Sequence, residues 1–328
     1  MDLELLQTVL DELGEPGFRA KQVWQWTARG VHGYDEMTDL PAQLREQLAE
    51  RVPFSCLELV EQVESSDGTV KALFTTGDGN PVEAVLMRYQ DDRRSVCLSS
   101  QSGCPLDCTF CATGQMAFGR NLTTSEIVDQ ALHFRRIEPV DHAVFMGMGE
   151  PMMNIDNVLA ACDSLPDIGI TNRRTTVSTV GWMPGLERFI AQDRPLRLAL
   201  SLHAADAKLR SQIMPVNDRY PLSEVLDACR KYWDKTHRKV FIEYVMLEGV
   251  NDTRVEATKL TWALKPKQAF KVNLIPYNPT DTPYEGSGRT AISAFRGVLA
   301  REGLPVTVRL TRGSDIAAAC GQLASSST

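Results

Sequence analysis

The sequence contains no run of the roughly 18 consecutive apolar residues that a membrane-crossing helix requires. Met1 to Leu13 alternates acids with leucines instead of joining a basic start to an apolar block, so neither a membrane span nor a secretory leader is expected. An excess of positive charge is also missing: 35 Lys and Arg stand against 42 Asp and Glu, a formal charge of −7. That argues against a protein that holds nucleic acid through its overall charge, and any RNA site must be a local basic face. Cysteine is sparse, eight in 328 residues, yet three of the eight fall between positions 104 and 111. A secreted disulfide framework spaces its cysteines more evenly, so a reducing cytoplasm and metal or redox chemistry are favoured. Short-period repeats are absent, and the polar tail Ser325 to Thr328 is expected to fray.

What is present divides into four stretches. Residues 1–52 carry helical spacing, with Leu3, Leu6, Leu10 and Leu13 in register and Leu44 to Leu48 closing the stretch before Val52-Pro53. Residues 53–92 read as a small antiparallel sheet: alternating segments at 57–63, 70–75 and 82–87 are separated by Ser65-Ser-Asp-Gly68 and Gly77-Asp-Gly-Asn80. A strand at 95–99 follows. From there to residue 312 strands alternate with helices, the strands expected at 143–146, 175–178, 196–202, 240–246, 271–275 and 306–310. This α/β pattern predicts a parallel sheet or a partial barrel with its site at the carboxyl ends of the strands. Residues 313–328 form a C-terminal segment.

The sharpest chemical signal is Cys104-Pro-Leu-Asp-Cys108-Thr-Phe-Cys111, just after a strand and before the helix opened by Thr123-Thr-Ser-Glu126. Thiolates at this density suit an iron-sulfur cluster or zinc. A structural zinc site wants a fourth ligand, and the nearest Cys or His in sequence are Cys97 and His133. Three ligands on four irons leave one iron open, as a catalytic cluster needs. Gly147-Met-Gly149-Glu150-Pro follows a predicted strand, where glycines let backbone approach a ligand and a glutamate can accept from an ammonium. Ser178, Ser201-Leu202-His203 and Asn278 also sit at predicted strand ends. Cys320 follows Arg309 and Arg312 in a segment that reads as mobile, a setting that lowers a thiol pKa. Cys56, Cys162 and Cys229 read as small buried hydrophobes.

The cysteine triad on a βα background resembles the radical S-adenosylmethionine (SAM) superfamily. With Cys97-Leu-Ser-Ser-Gln-Ser-Gly-Cys104, Phe118-Gly-Arg-Asn-Leu-Thr123, Asn273-Leu-Ile-Pro-Tyr-Asn278 and Ala319-Cys320-Gly-Gln-Leu323, and with Phe18-Arg-Ala-Lys-Gln22 near the start, it resembles the RlmN/Cfr family of RNA adenine methyltransferases. The resemblance implies a partial (βα)6 TIM-like radical SAM barrel with a small N-terminal helical RNA-binding domain and an accessory antiparallel β-sheet. It implies that Cys104, Cys108 and Cys111 hold a 4Fe-4S cluster, and that Gly149, Glu150, Ser178, Ser201, Leu202, His203 and Asn278 line the SAM site. It also implies that Cys320 carries a methyl group, that Cys97 resolves the RNA adduct as a disulfide forms, and that Glu83 takes the ring proton. The resemblance further implies two SAM molecules per turnover, which suits an electron-poor ring carbon that has no lone pair with which to attack a methyl group directly. The implied partners are 23S ribosomal RNA, transfer RNA and a low-potential donor such as flavodoxin or ferredoxin, acting on a cytoplasmic monomer. Arg19, Lys21, Arg29, Arg173, Arg174, Lys235, Arg238 and Lys239 are candidate phosphate contacts.

Members divide by target carbon. Gly149-Glu150-Pro151 and Met152-Met-Asn154 are closer to the C2 type, whereas Met214-Pro-Val-Asn-Asp-Arg-Tyr-Pro221 looks more like C8 members. C2 is the expectation and C8 the alternative. A radical SAM enzyme on a small molecule or peptide is the rival outside the family, and a zinc-bound RNA-binding module without catalysis the rival outside radical chemistry.

Overall fold

The computed structural model describes residues 1–323; the tail Ser325–Thr328 lies outside the described residues. Helices α1 (Leu3–Glu12), α2 (Phe18–Arg29) and α3 (Ala42–Arg51) close around their own core, which includes Leu6, Leu10, Val23, Met37, Leu44 and Leu48. The α1 helix starts where the Asp2 carboxylate accepts from the Glu4 and Leu5 amides. The α2 helix stops at Gly30, whose φ of +97° penalises any residue with a Cβ. The bundle is fastened to the rest through Trp24 Nε1, which donates to Asp167 at 2.7 Å, and through the Met1 amino group, which pairs with Asp129.

Strands β1 (Leu57–Glu64), β2 (Val70–Thr76), β3 (Pro81–Arg88) and β4 (Arg94–Cys97) form an antiparallel meander across the two expected turns. The short pair β5 (Gln101–Ser102) and β6 (Arg120–Asn121) ties off the loop between them, which carries the three clustered cysteines. Then follow α4 (Thr124–Ile137), β7 (His142–Phe145), α5 (Ile155–Ile168), β8 (Thr175–Thr179), α6 (Met183–Ala191) and β9 (Arg197–Ser201). After these come α7 (Ala207–Ile213), α8 (Val216–Arg219), α9 (Leu222–Thr236), β10 (Val240–Met246), α10 (Arg254–Ala263), β11 (Phe270–Pro276), α11 (Arg289–Arg301) and β12 (Val306–Val308). The predicted start of α4 is a capping box: Thr123 Oγ1 accepts from the Glu126 amide while the Glu126 carboxylate accepts from the Thr123 amide.

Ten strands form one sheet in the order β1-β2-β3-β4-β7-β8-β9-β10-β11-β12, parallel from β4 onward. The antiparallel strands are therefore not a separate sheet, because β4 pairs with β3 on one side and β7 on the other. Six parallel strands make the expected partial barrel, which stays open, and β12 adds a seventh. Side chains alternate in direction along each strand: on β10, Ile242 and Tyr244 pack into the main core while Glu243 and Val245 face the inner cavity. The β4 strand ends at Cys97 instead of Ser99 because the Gln130 side chain takes over the ladder, bonding both the amide and the carbonyl of Ser99. Among the described residues no helix is long and apolar enough to cross a membrane.

Candidate active site

The carboxyl ends of β7 to β11 surround one cavity, closed over by the cysteine loop and by residues 320–323. The cysteine loop is fixed by backbone geometry. Gly103 has a φ of +72°, and a Cβ there would stand 2.3 Å from the Ala117 carbonyl, so only glycine fits. The Thr109 amide donates to the Ile213 carbonyl at 3.0 Å, pinning the loop to the end of α7. Cys104, Cys108 and Cys111 all line the cavity. Burial pushes the Cys104 thiol up to about 12 and the Cys108 thiol well above its ordinary value, and the neighbouring thiols push both further. Three thiolates lining one cavity, one buried and two half-buried, need cations among them, so the donor set fits a soft metal centre. Among the described residues no three His, Cys, Asp or Glu side chains close around a single point.

Opposite this loop, Gly147, Gly149 and Glu150 bend away from the end of β7. A Cβ on Gly149 (φ +92°) would meet the Gln101 side chain at 2.5 Å. Glu150 is only 2% exposed; its carboxylate oxygens accept from the Met152 amide at 2.9 Å and the Val180 amide at 2.9 Å. Burial nevertheless raises its carboxyl to about 7, outweighing those bonds. A cationic ligand group at this carboxylate restores the charged form. Ser178 and Ser201 place their hydroxyls 3.3 Å apart on adjacent strands. His203 adopts a φ of +57°, and its Nδ1 accepts from the Val245 amide at 3.0 Å, which leaves the proton on Nε2. Burial and the Arg210 charge hold its pKa down to about 3, so the ring is neutral. Leu202 belongs to the core, its amide donating to the Glu243 carbonyl and its own carbonyl accepting from Arg210.

Arg210, missed in the sequence, is fully buried and binds the whole strand-end platform. Its guanidinium donates to the carbonyls of Val180 (2.6 Å) and Leu202 (3.2 Å) and to Asn217 Oδ1 (2.9 Å). Its only sequence signal is an arginine on the apolar face of a short amphipathic helix.

The remaining thiols sit at the other side of the cavity. Cys97, at the end of β4, packs beside Val85, Met148 and Leu323, and burial together with the charge of Cys320 pushes it up to about 12. The exposed face of Cys320 opens on the cavity. The segment around it is not mobile, contrary to expectation: it is sewn down at five points. Asp315 accepts from Ser65 and Ser66, the Gly313 amide donates to Asp67, and Asn278 Nδ2 donates to the Cys320 carbonyl at 3.0 Å. The Ala112 amide donates to the Gly321 carbonyl, and Thr113 Oγ1 to that of Leu323. The expected depression of the Cys320 thiol fails too: Arg309 does lower it, but burial is the larger effect and raises it. Asn278 thus spends its amide on the Cys320 backbone, and Leu202, Asn278 and Glu83 are not on the cavity lining. Glu83 lies on β3, 3.1 Å from Lys71 Nζ, on the face that Val85 shares with Met148.

Of the basic candidates, Lys235 is structural, its ammonium bonding the carbonyls of Ile190, Ala191 and Gln192 at the end of α6. Arg19 pairs with Glu15 and lies over the exposed Phe18 ring, and Arg29 lies over Trp26.

Residues 98–260 match the model of the radical SAM superfamily, and residues 1–53 match that of the ribosomal RNA large subunit methyltransferase N-terminal domain. The protein named "Probable dual-specificity RNA methyltransferase RlmN" of Thermus thermophilus is 45% identical over 330 residues, covering 98% of this chain and 92% of its own. The chain belongs to the RlmN/Cfr family of radical SAM methyltransferases. A second RlmN relative, the dual-specificity RNA methyltransferase of Desulfotalea psychrophila, is 43% identical over 97% of this chain and 92% of its own. The crystal structure of a radical SAM methyltransferase from Sphaerobacter thermophilus superposes with a TM-score of 0.92 at 41% identity, covering 98% of this chain and 97% of that one. Membership of the radical SAM superfamily brings a 4Fe-4S cluster and SAM as cofactors.

Proposed function

We propose that this chain methylates C2 of an adenosine in 23S ribosomal RNA, and of the transfer-RNA adenosine 3′ of the anticodon, through a methyl group carried on Cys320. The reading is carried by one juxtaposition: the three clustered thiols and Cys320 line the same cavity, with Cys97 beside it. The cluster, held by Cys104, Cys108 and Cys111, supplies reductive cleavage of SAM to a 5′-deoxyadenosyl radical. Gly149, Glu150, Ser178, Ser201 and His203 orient SAM, with Glu150 accepting from its ammonium and Leu202 backing that site from the core. Asn278 serves that site through Cys320, whose carbonyl it holds.

Cys320 takes a methyl group from one SAM and presents its S-methyl carbon to the radical derived from a second. The radical would remove a hydrogen from that carbon, leaving as 5′-deoxyadenosine, and the carbon would bond the ring. The adduct would give one electron back to the cluster as Glu83 accepts the ring proton. Cys97 would then attack the Cys320 sulfur, so that the carbon–sulfur pair stays on the methylene carbon, which takes up a proton to become methyladenosine and leaves a disulfide. A cytoplasmic location keeps such a disulfide transient. Residues 1–52 would contact RNA, residues 53–92 extend the sheet, 93–312 form the barrel, and 313–328 hold the methyl carrier. The protein would act as a monomer fed by flavodoxin or ferredoxin, on a nucleotide drawn out of its stack. Mass mapping of ribosomal RNA modified by the purified enzyme tests this: 2-methyladenosine is expected, and 8-methyladenosine would assign the C8 reaction instead.

A further inference from the structure

Two carboxylates line the cavity among the described residues, Glu150 and Glu243. Both oxygens of Glu150 already accept backbone amides. Glu243 differs. It is 3% exposed, one oxygen accepts from Asn273 Nδ2 at 2.8 Å, and the other, Oε2, is buried without a hydrogen-bond partner. That oxygen stands 4.0 Å from Arg309 Nη1. That contact is an ion pair too long for a hydrogen bond, so the lone pairs of Oε2 stay unused, and a parallel strand that otherwise reads Val-Phe-Ile-Tyr-Val-Met gives no packing reason for a glutamate. The charges of Glu243 and Arg309 both act on the Cys320 thiol. Glu243 and Cys320 thus line one cavity, with Arg309 paired to the Glu243 carboxylate.

We propose that Glu243 accepts the proton of the Cys320 thiol in the step that loads its methyl group, with Arg309 steadying the negative charge as it passes between them. The inference rests on reading Cys320 as the methyl carrier. The S–H bond yields its proton to Glu243 Oε2, the sulfur electron pair bonds the methyl carbon of the sulfonium, and the broken carbon–sulfur bond leaves its pair on S-adenosylhomocysteine. A cation and a carboxylate become a neutral thioether and a carboxylic acid, so charge balances. An ordinary thiol carries its proton at neutral pH, so an acceptor is needed for it to leave, and Glu243 is the carboxylate of the cavity lining whose two oxygens are not both taken by backbone amides. The groups facing Glu243 are Ser201 from β9, Asn273 and Lys271 from β11, Arg309 beyond β12, and Cys320.

The test is Glu243→Gln in the reconstituted holoenzyme, prepared from iron-starved cells and given SAM without reductant so that no radical forms. The amide keeps the oxygen that accepts from Asn273. Mass of the Cys320 peptide is followed over time at several pH values. Loading about a hundredfold slower than wild type, and accelerating roughly tenfold per pH unit as hydroxide replaces the carboxylate, is expected. Partial rescue is expected in Glu243→Asp, with cluster absorbance and SAM affinity unchanged in both. Loading at the wild-type rate, or with the wild-type pH profile, overturns the proposal. So does a loss of SAM affinity, which would make Glu243 a SAM-binding residue. Wild type that never gains the methyl group overturns the carrier reading itself, whereas equal gain in wild type and Glu243→Gln overturns only this step.

Discussion

The side-chain amide of Asn278 holds the main-chain carbonyl of Cys320 at 3.0 Å, joining the loop after β11 to the C-terminal segment. Because the bond is to backbone, it fixes where the sulfur stands without touching its reactivity. The Ala112 amide makes an equivalent bond to the next carbonyl, Gly321, from the opposite wall. The proposed methyl carrier is therefore positioned by two neighbours that are far apart in sequence.

Replacing Cys104, Cys108 or Cys111 with Ala should bleach the purified protein and abolish SAM cleavage, since each thiolate is proposed to hold its own iron. Cys162→Ala and Cys229→Ala are the controls: both thiols are buried away from the cavity, and a loss of about 1 kcal/mol with colour retained is expected. Visible absorbance and 5′-deoxyadenosine production read both arms. Cleavage that survives in any one of the three would remove the cluster assignment.

Cys97→Ala should trap the enzyme on its substrate. Loading of Cys320 and addition to adenine need no second thiol, so the chain should leave cells covalently joined to RNA, seen as ribonuclease-sensitive retarded bands on denaturing gels. Buffer thiols cannot replace Cys97 because exchange depends on access and alignment at one buried sulfur. The double variant with Cys320→Ala should carry no RNA. Wild type should show about 14 Da added to the Cys320 peptide, the net mass of a methyl replacing a hydrogen.

His203 should make the protein acid-sensitive. Its pKa of about 3 in the folded chain lies below the unfolded value of 6.5, so the unfolded state binds the proton more tightly and stability falls as pH drops through that window. Between pH 7 and 4 the loss from this one ring is on the order of 3 kcal/mol. His203→Asn, which tolerates the positive φ, should flatten the curve by that amount in urea titrations, leaving a smaller slope from His133, held down to about 4. Parallel curves for the two proteins would refute it.

Arg210→Leu removes the donors on which the Val180 and Leu202 carbonyls and Asn217 depend. A stability loss of roughly 1–3 kcal/mol is expected, because the Val180 carbonyl is left unpaired, while the Leu202 carbonyl keeps the Ala204 amide and Asn217 Oδ1 keeps the Leu222 amide. Chemical denaturation reads the loss, and a change below about 0.5 kcal/mol, the range of ordinary surface substitutions, would contradict it.

The strand-helix alternation, the α4 capping box and the two hairpin turns were legible because each rests on residues within a few positions of one another. The thiol triad was legible for the same reason. Glu243, Arg210 and Lys71 were not: each gains its meaning from partners 7 to 66 or more positions away, such as Asn217 or Arg309. The C-terminal segment misled for a related reason. Gly-Ser and two arginines look loose locally, but Asp315 finds its partners at Ser65 and Ser66, about 250 residues earlier. Likewise a nearby arginine predicts a depressed Cys320 thiol only when burial, invisible in sequence, is left out.

The bonds from Ala112 and Thr113 to Gly321 and Leu323 have a further consequence. The loop that presents the three cysteines is also an anchor of the segment bearing Cys320, the Ala112–Gly321 bond lying on the residue directly after a cysteine on either side. Relaxation of that loop would free Gly321 and Leu323, while Asn278 would still hold Cys320, and Asp67 and the Ser65-Ser66 turn would still hold Gly313 and Asp315, so the carrier would stay docked and lose only its fixed approach to the cysteine loop.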